Sequence, residues 1–496
     1  MVIRRIGPAV ALATAGVLAL ANSVFASVAL TQVSSDPFTN TTAIDGVAIY
    51  HATEEEPDTF AYGSTIVSAF QVGRFHNGGA DDIGVAISTN GGQSWKHKLL
   101  PGLTAQVDPS SPFERVSDAS VAFDARDNVW MVSSIPLTSS LVVPTVLVNR
   151  STDGGRTWKA PVSIPATTGP VNLDKNWTVC DNTSSSPHYG NCYTEVDNFA
   201  VFDLEELSTS TNGGLTWSVP ISTPLHAHGL GGQPLVQPNG TVVVPFEGID
   251  GLATISSFGS IDGGVSLTNA VTIATIDFHS VAGDLRTSPL PSAEIDGSGN
   301  VFVAWEDCRF ISGCTANDIV FSTSGDGQKW AAVKRVPIDS VTSGVDHFIP
   351  GLAVDRSTSG GRAHIGLSYY YYPVANCKVA TCQLDAGFIS SSDGGGTWGG
   401  QEQLAGPMNL TWLAFTTQGY MVGDYISTSF SGGLAFPAIA VASMPSGAVT
   451  TQNLNEAMFV TASGQAIFTG AGTPSTAAGA TAGNSTRSFV VGPTNR

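Results

Sequence analysis

The sequence has few charged residues and especially few basic ones. Lys and Arg number 21 against 40 Asp and Glu among 496 residues, a formal net charge of -19 at pH 7. So acidic a chain lacks the basic surface that nucleic acids and anionic membranes require. Charged residues are only 12% of the chain, about half of the usual quarter, which excludes coiled coils and long exposed helices. The 55 glycines indicate short strands and tight turns instead.

Beyond its first residues the sequence has no apolar run long enough to span a bilayer. The apolar run at residues 9–20 follows Arg4 and Arg5 and leads to small residues ending at Ala26. This pattern is typical of a secretory signal, so we expect 1–26 to be a signal peptide and the protein to be secreted. Residues 27–462 then form the main domain. Residues 463–496 are rich in Gly, Ala, Ser and Thr, and we expect a flexible tail there because this composition cannot bury a core.

The cysteines show no pair of CxxC knuckles with histidines, so zinc is the less favoured reading. Six cysteines allow 15 pairings, but these fall into couples that are close in the sequence. An exported chain favours disulfides, and we expect three that each close a short loop: Cys180 with Cys192, Cys308 with Cys314, and Cys377 with Cys382.

Asn-x-Ser/Thr sequons predict surface glycosylation sites if the host attaches glycans. They lie at Asn40, Asn176, Asn182, Asn239, Asn409 and Asn484. In a bacterium they would carry no such meaning.

A short element recurs six times along the chain and is called here the repeat turn. Its complete copies have Ser, then Asp or Asn, two glycines and a Trp, at 151–158, 391–398, 88–95 and 210–217. Two copies are degraded: 260–267 lacks the Trp, and 323–330 has lost the Asp position. Asx and Gly fit a hairpin turn with positive φ, and the Trp is expected to pack on the adjoining strand.

The repeat turns resemble the Asp-boxes of the sialidase and BNR-repeat family, which join the third and fourth strands of a propeller blade. Other segments are also similar to secreted members of that group, over about residues 60–445: 118–124, 174–177, 303–309 and 423–425. The resemblance implies an all-β propeller with the boxes on the rim, away from the active site. Paired apolar runs, six before a repeat turn and a seventh at 422–443, predict seven four-stranded blades. Six blades, the usual sialidase number, are the alternative.

In a propeller, the residues that open the innermost strands and the loops after the second strands converge on one funnel. The strand openings offer Asp118, Asp174 with Lys175, and Asp424. The loops offer Glu247, Glu306 and Arg309, with Tyr370 in a run of four tyrosines. We expect no cofactor, although the three aspartates could hold a structural calcium through oxygen ligands.

The resemblance implies the activity and the roles of these residues. Sialidases hold a sugar carboxylate with arginines and use a Tyr nucleophile, a Glu and an acidic Asp. Carried over, this makes Asp118, Glu247, Glu306, Tyr370 and Asp424 catalytic candidates. The substrate-binding candidates are Arg309, Arg286, Arg115, Asp174 and Lys175.

Three functions therefore remain open for the sequence. The first is an exo-acting glycoside hydrolase that removes terminal acidic sugars from glycans. The second is a non-catalytic propeller that binds glycans or proteins, and the third is a polysaccharide lyase on the same fold, with Tyr or His as base. We expect a monomer with a glycan partner and no nucleic acid or membrane partner. Three arginines around one carboxylate would favour the sialidase, and a Tyr-His-Arg cluster the lyase.

Overall fold

The structure, a computed structural model, describes residues 28–470, and its regular secondary structure is almost entirely β-strand, which confirms the all-β prediction. The predicted signal peptide, the sequon at Asn484 and residues 471–496 of the predicted tail lie outside the described residues. The part of the chain that the structure describes contains three single-turn 3-10 helices, at Phe199–Val201, Gly360–Arg362 and Leu410–Trp412. Among residues 28–470 no helix has the length and apolar character needed to cross a membrane.

Within the described residues the strands, numbered β1 to β31 in chain order, lie in six sheets, the largest of which has twelve strands. For description they are divided into seven groups of antiparallel strands. Three of the groups belong to the twelve-stranded sheet: a parallel contact of Thr53 with Glu456 joins group 1 to group 7, and an antiparallel contact of Ala80 with Val116 joins group 1 to group 2.

Group 1 contains β2 (Ile49–Tyr62), β3 (Thr65–Phe75), β4 (Ala80–Ser88) and β5 (Lys96–Leu99). Group 2 contains β6 (Arg115–Asp124), β7 (Val129–Leu137), β8 (Leu147–Ser151) and β9 (Val162–Ser163). Group 3 contains β10 (Leu173–Cys180), β11 (Cys192–Asn198), β12 (Leu204–Ser210) and β13 (Ile221–Ser222).

Group 4 has an interrupted first strand, β14 (Gly229–Leu230) and β15 (Leu235–Val236), followed by β16 (Val242–Gly248), β17 (Thr254–Ser260) and β18 (Val271–Thr275). Group 5 contains β19 (Ser292–Ile295), β20 (Val301–Asp307), β21 (Asp318–Ser324) and β22 (Lys334–Arg335). Group 6 contains β23 (Asp346–Val354), β24 (Ile365–Tyr372), β25 (Gln383–Ser391) and β26 (Gly399–Asn409).

Group 7 combines the two ends of the described chain. After a hairpin of β27 (Ala414–Thr416) and β28 (Gly419–Met421), it contains β29 (Ser427–Ser431), β30 (Leu434–Ala442) and β31 (Glu456–Thr461). Its outermost strand is β1 (Leu30–Gln32), which pairs antiparallel with β31, Leu30 opposite Thr461. Part of the predicted tail also contacts this group, since Gln465 bridges to Ala435.

The apolar core lies between neighbouring groups rather than within one centre. One buried cluster joins strands of groups 1 and 2, another groups 2 and 3, and others continue along the chain to group 6. The largest cluster contains residues of groups 6, 7 and 1, such as Tyr370, Ile439 and Phe70. Each group is therefore stabilised by burial against its neighbours.

The six repeat turns have one hydrogen-bond pattern. In each, the serine Oγ accepts a bond from the backbone N–H of a glycine with positive φ, at 2.9 to 3.0 Å. The Asp or Asn closes the turn further: Asp153 Oδ1 accepts the N–H of Thr157 at 2.9 Å. In the copy that had lost its Asp position, Ser324 and Asp326 make these bonds, Asp326 accepting the N–H of Lys329 at 2.8 Å. The turn is therefore present in this copy too, with the serine and the glycine three residues apart instead of four.

The tryptophans of the repeat turns pack between neighbouring groups. Trp158 follows β8 of group 2, yet its cluster includes Val67 and Ile87 of group 1. The first copy makes the corresponding contact with the last group, because Gly92 lies directly against the ring of Phe436 in β30.

All three predicted disulfides are confirmed. Cys180 bonds Cys192, Cys308 bonds Cys314 and Cys377 bonds Cys382, with no free cysteine among the described residues.

One sequon prediction is wrong. Asn176 is fully buried in β10, where its Nδ2 donates to the backbone oxygen of Asp118. A glycan cannot be attached to a side chain that packs between two strand groups.

Candidate functional site

A cavity of about 480 Å³ is lined by the first strands of groups 1, 2, 3 and 4, together with residues 286–290, 417–418 and Asp424. Its floor is charged: Glu56, Arg74, Asp118, Asp174, Lys175, Arg286 and Asp424. Much of its wall is apolar: Ile135, Leu137, Leu141, Val143, Leu173, Phe199, Leu230 and Leu290. Such a combination of apolar wall and converging polar groups is typical of a ligand site.

A repeated backbone irregularity brings the charged residues to this cavity. The first strands of groups 1, 2 and 3 each contain a break in pairing register, with positive φ at Glu56 (54°), Asp118 (51°) and Lys175 (23°). Non-glycine residues adopt such angles infrequently. A β-bulge turns side chains out of their regular alternation and is common beside functional sites. The local strain here therefore aims three ionisable side chains at one space.

The carboxyl groups of the cavity do not share one environment. Glu56 is buried, its Oε1 accepting the N–H of Asp424 at 3.2 Å, and its other oxygen accepts a bond from Gln71. Burial, together with the charges of Asp118 and Asp424, raises the pKa of Glu56 well above its ordinary value. Asp174 is exposed to the cavity, yet the surrounding protein and the Asp118 charge raise its pKa to about 6. Asp174 is therefore an accessible carboxyl group able to hold a proton at mildly acidic pH.

The two arginines on the floor are already paired with carboxylates. Arg286 forms a bidentate pair with Asp424, its Nε donating at 2.7 Å. Arg74 lies 3.2 Å from Glu55 and donates to Gln71 at 2.7 Å. Both guanidinium groups thus have fixed orientations.

Of the three cations that line the cavity, Lys175 is the one whose side chain has no hydrogen-bond partner among the described residues. Its Nζ lies 4.3 Å from the centre of the Trp177 ring and 3.5 Å from that of Tyr425. Burial lowers the pKa of Lys175, although Asp118 and Glu56 act against that shift. The ammonium nitrogen is buried against two aromatic faces and makes no hydrogen bond with the described residues.

Of the residues expected from the sequence, the structure brings Asp118, Asp174, Lys175, Arg286 and Asp424 together in the cavity. It places the other catalytic candidates elsewhere. Glu306 is buried between groups 5 and 6, where Oε2 accepts the N–H of Ile349 at 3.0 Å. The Tyr370 hydroxyl donates to the oxygen of Ala440 at 2.7 Å, inside the core. Glu247 lies on β16, and burial raises its pKa to about 7.

The two remaining arginine candidates have structural partners. Arg309 bonds Asp307, from Nε at 2.8 Å, and also the carbonyl oxygen of Thr275. Arg115 is completely buried behind the cavity wall, where it pairs with Glu114 at 3.0 Å and donates to Asn77 at 2.6 Å. Neither lines the cavity.

Two charged lining residues were missed from the sequence, Glu56 and Arg74. Glu56 ends a run of three glutamates at 54–56, and Arg74 lies on the next strand. Three consecutive glutamates are unusual in a chain with so few charged residues, and this run was the sequence signal that could have indicated a functional site.

The aspartates proposed to hold calcium do not form a compact ligand set. Among the described residues, one group of three has ligand atoms within 4.8 Å of one another: Asp318, Asp339 and His347. Arg335 donates to both of those aspartates, from Nε to Asp318 at 2.6 Å and from Nη2 to Asp339 at 2.9 Å. A guanidinium group already supplies the positive charge there.

Comparison with known proteins gives distant structural likeness only. No family model and no curated protein matches the chain. A protein of unknown function from Dyadobacter fermentans is 16% identical, with a TM-score of 0.46 over 73% of this chain and 99% of that one. A Hadza microbial sialidase is 15% identical, with a TM-score of 0.43 over 83% and 65%. An ulvan lyase, from a family of polysaccharide lyases, is 10% identical, with a TM-score of 0.48 over 88% and 97%. At such identities and TM-scores, function has to be argued from the cavity itself.

Proposed function

We propose that the protein is a secreted, carbohydrate-active enzyme on a seven-bladed propeller, which removes terminal acidic sugars from glycans by hydrolysis. Each strand group is one blade in this proposal. The cavity is the active site, and the three disulfides suit an oxidising extracellular environment.

Contacts between first strands support the propeller. Val121 of group 2 donates its N–H to Asp58 of group 1 at 2.6 Å, and Thr178 of group 3 donates to Ser120 of group 2 at 3.0 Å. Similar bonds join groups 4 with 5 and 5 with 6. The last group returns to the first, because Ser429 and Thr59 bond through their hydroxyls at 3.2 Å. A ring of blades with a central channel accounts for this sequence of contacts.

The observation that carries the proposed chemistry is the presence of Asp174, Asp118 and an unpartnered Lys175 in one cavity. Cleavage of a glycosidic bond requires an acid for the leaving oxygen and a second group at the anomeric carbon. Asp174, with a pKa of about 6, is the general acid in this scheme. Asp118 is the second carboxylate, close enough for its charge to raise the pKa of Asp174.

In this proposal the positive charge of Lys175 gives the preference for an acidic sugar. A carboxylate on the sugar would be attracted by the charge of Lys175, whose buried Nζ has no hydrogen-bond partner among the described residues. Arg286 adds positive charge to the same part of the cavity, although the Asp424 carboxylate already accepts hydrogen bonds from its Nε and Nη2. The apolar wall would contact the less polar face of the sugar or the aglycone.

The test is kcat/KM on glycans ending in sialic acid, in a uronic acid and in a neutral hexose. We expect turnover of an acidic glycan, with activity falling as pH rises through about 6 because Asp174 loses its proton. Asp174→Asn should reduce kcat by about 100-fold or more with an unchanged melting temperature. Asp250→Asn, at an exposed loop carboxylate, is the control for the loss of one charge. Full activity of Asp174→Asn would contradict the assignment.

A glycan-binding protein without catalysis is the second candidate, and the paired arginines favour it. Arg286 and Arg74 are both engaged by carboxylates, so the cavity has no set of three arginines free to hold one ligand carboxylate. For this candidate, acidic glycans would bind without turnover, and Lys175→Gln would weaken binding. The lyase has less support, because no Tyr or His lines this cavity among the described residues.

A further inference from the structure

Part of the lining of the cavity is aliphatic and is called here the aliphatic wall. Its members are Ile135, Leu137, Leu141, Val143, Leu173, Leu230 and Leu290. Such side chains have no donor or acceptor for a sugar hydroxyl, and a hydroxyl that leaves water without finding a partner is destabilising. An alkyl group loses no hydrogen bond there and gains free energy by leaving water. The wall therefore fits an apolar group better than a second sugar ring.

The aliphatic wall is anchored in the apolar core. Four of its members belong to the buried cluster that joins groups 2 and 3: Ile135, Leu137, Val143 and Leu173. Leu141 packs against that cluster. Leu290 packs on Gly231, the neighbour of Leu230, where an added Cβ atom would lie only 2.8 Å from Leu290 Cδ2. Core packing therefore holds the wall in place, and its shape does not depend on a ligand.

Leu141 has a strained backbone conformation. Its φ is 61°, a left-handed value that bulky residues adopt rarely. The turn around it enforces this angle, because the N–H of Leu141 donates to the oxygen of Thr138 at 2.9 Å and the N–H of Thr138 donates to the oxygen of Val142 at 3.0 Å. Gly or Asn would suit the turn better, and Leu141 is only half-buried. Strain of this kind in the lining of a cavity points to a role in ligand binding.

The aliphatic wall adjoins the carboxyl groups of the cavity. Leu173 immediately precedes Asp174 on β10. Ile135 on β7 lies opposite Ser117, the residue before Asp118 on β6. All five residues line the same cavity. A glycoside whose sugar lies at these two carboxyl groups would therefore have the wall within reach of its aglycone.

We propose that the aliphatic wall binds an alkyl chain, carried as the aglycone of the acidic sugar, as in a glycolipid. This inference rests on the proposed function, since it names the aglycone of the same substrate. The cavity, of about 480 Å³, has a size typical of sites for ligands larger than one sugar ring. Phe199, which also lines the cavity and is 61% exposed, would add an aromatic face to the contact with the chain.

The experiment compares methyl and butyl thioglycosides, which resist hydrolysis, of sialic acid, glucuronic acid and glucose by NMR titration. We expect the butyl glycoside to bind at least tenfold more tightly than the methyl glycoside, because each buried methylene strengthens binding about fourfold. Leu141→Asn should reduce this preference at least threefold. Its melting temperature should stay close to that of the wild type, because Asn adopts the left-handed conformation more readily and this offsets the lost packing. Phe202→Asn is the matched control: Phe202 also has a φ of 61°, is 82% exposed and does not line the cavity, so the preference should not change.

Equal affinities of the methyl and butyl glycosides, or an equal effect of Leu141→Asn and Phe202→Asn, would overturn the proposal. Tighter binding of a lactosyl than of a butyl glycoside would also overturn it and indicate a second sugar ring. The glucosides separate this failure from that of the proposed function. A butyl preference shared by all three sugars, with equal affinities, would support the alkyl site and refute the preference for an acidic sugar. Tighter binding of the acidic sugars without a butyl preference would do the reverse, and no binding of any glycoside would overturn both.

Discussion

Replacement of Trp158 tests whether the repeat turns hold neighbouring strand groups together. The side chain is 8% exposed and lies in the cluster shared by groups 1 and 2. Truncation of so large a buried ring leaves a cavity, so Trp158→Ala should lower the free energy of unfolding by about 3 to 5 kcal/mol. The turn itself should persist, because Ser151 and Asp153 make its hydrogen bonds.

Trp158→Phe separates packing from hydrogen bonding. The indole Nε1 of Trp158 is buried without a partner among the described residues, and an unsatisfied buried N–H costs about 1 to 3 kcal/mol. Phenylalanine removes that N–H while filling most of the space, so we expect a change within about 1 kcal/mol. Trp330 is the matched control, since its Nε1 donates to Ser257 at 3.1 Å and to Gly327 at 3.3 Å. Trp330→Phe should therefore cost more than Trp158→Phe.

Urea unfolding, followed by circular dichroism with midpoint and m-value compared for each variant, gives these differences. If Trp158→Phe destabilised the protein as much as Trp158→Ala, filling most of the space with an apolar ring would not be enough at this site. That result would refute the prediction that burial of an apolar ring accounts for the stabilising effect of Trp158. A smaller loss for Trp330→Phe than for Trp158→Phe would refute the role given to the indole N–H.

Three further results are expected. Arg309→Lys should lower the melting temperature and leave the affinity for acidic glycans unchanged, because Arg309 bonds Asp307 outside the cavity; a selective loss of affinity would return it to the binding site. Burial raises the pKa of Glu54 to about 8 from an ordinary 4.5. The folded protein therefore holds this proton more tightly than the unfolded chain does. The resulting contribution to the free energy of unfolding is fully present below about pH 4.5 and is lost as the pH rises from there to about 8. Melting measured from pH 5 to 8 should thus show a smaller decline for Glu54→Gln than for the wild type, and equal declines would disprove the burial argument. Replacing both Cys377 and Cys382 by Ala should lower the free energy of unfolding by about 2 kcal/mol, and replacing Cys180 and Cys192 by about 3 kcal/mol, because the loop from Cys180 to Cys192 is longer. Chemical denaturation measures both losses, and the reverse order would contradict this prediction.

Much of the fold could be predicted because its signals are local. The repeat turns place Ser, Asx and Gly at fixed spacing, and the three disulfides join cysteines close in sequence. The degraded copy near Asp326 was misjudged because the turn tolerates a register one residue shorter. The strand β2, which precedes the first apolar run that was recognised, carries three glutamates and is not typical of a buried strand.

The site was predictable only in part. Residues that open the first strands were expected to converge, and Asp118, Asp174 and Asp424 do. Glu247 and Glu306 do not, because groups 1, 2 and 3 supply most of the lining, group 4 supplies only Leu230 and Gly231, and the strands of group 5 supply none of it. The position of Glu56 in the cavity depends on a β-bulge with positive φ, and the residue types at this point do not predict such a bulge. Such a distortion is set by the surrounding packing, which a single sequence does not express.

The pairing of β1 with β31 has a consequence for biogenesis. A chain emerges from the ribosome with Leu30 far ahead of Thr461, so β1 has to remain unpaired until its partner strand has been synthesised. Meanwhile the exposed edge of β1 could pair with another chain. Completion of the fold is therefore tied to completion of translation, and a nascent chain stalled before Glu456 would be a substrate for chaperones or proteases rather than a partly working protein.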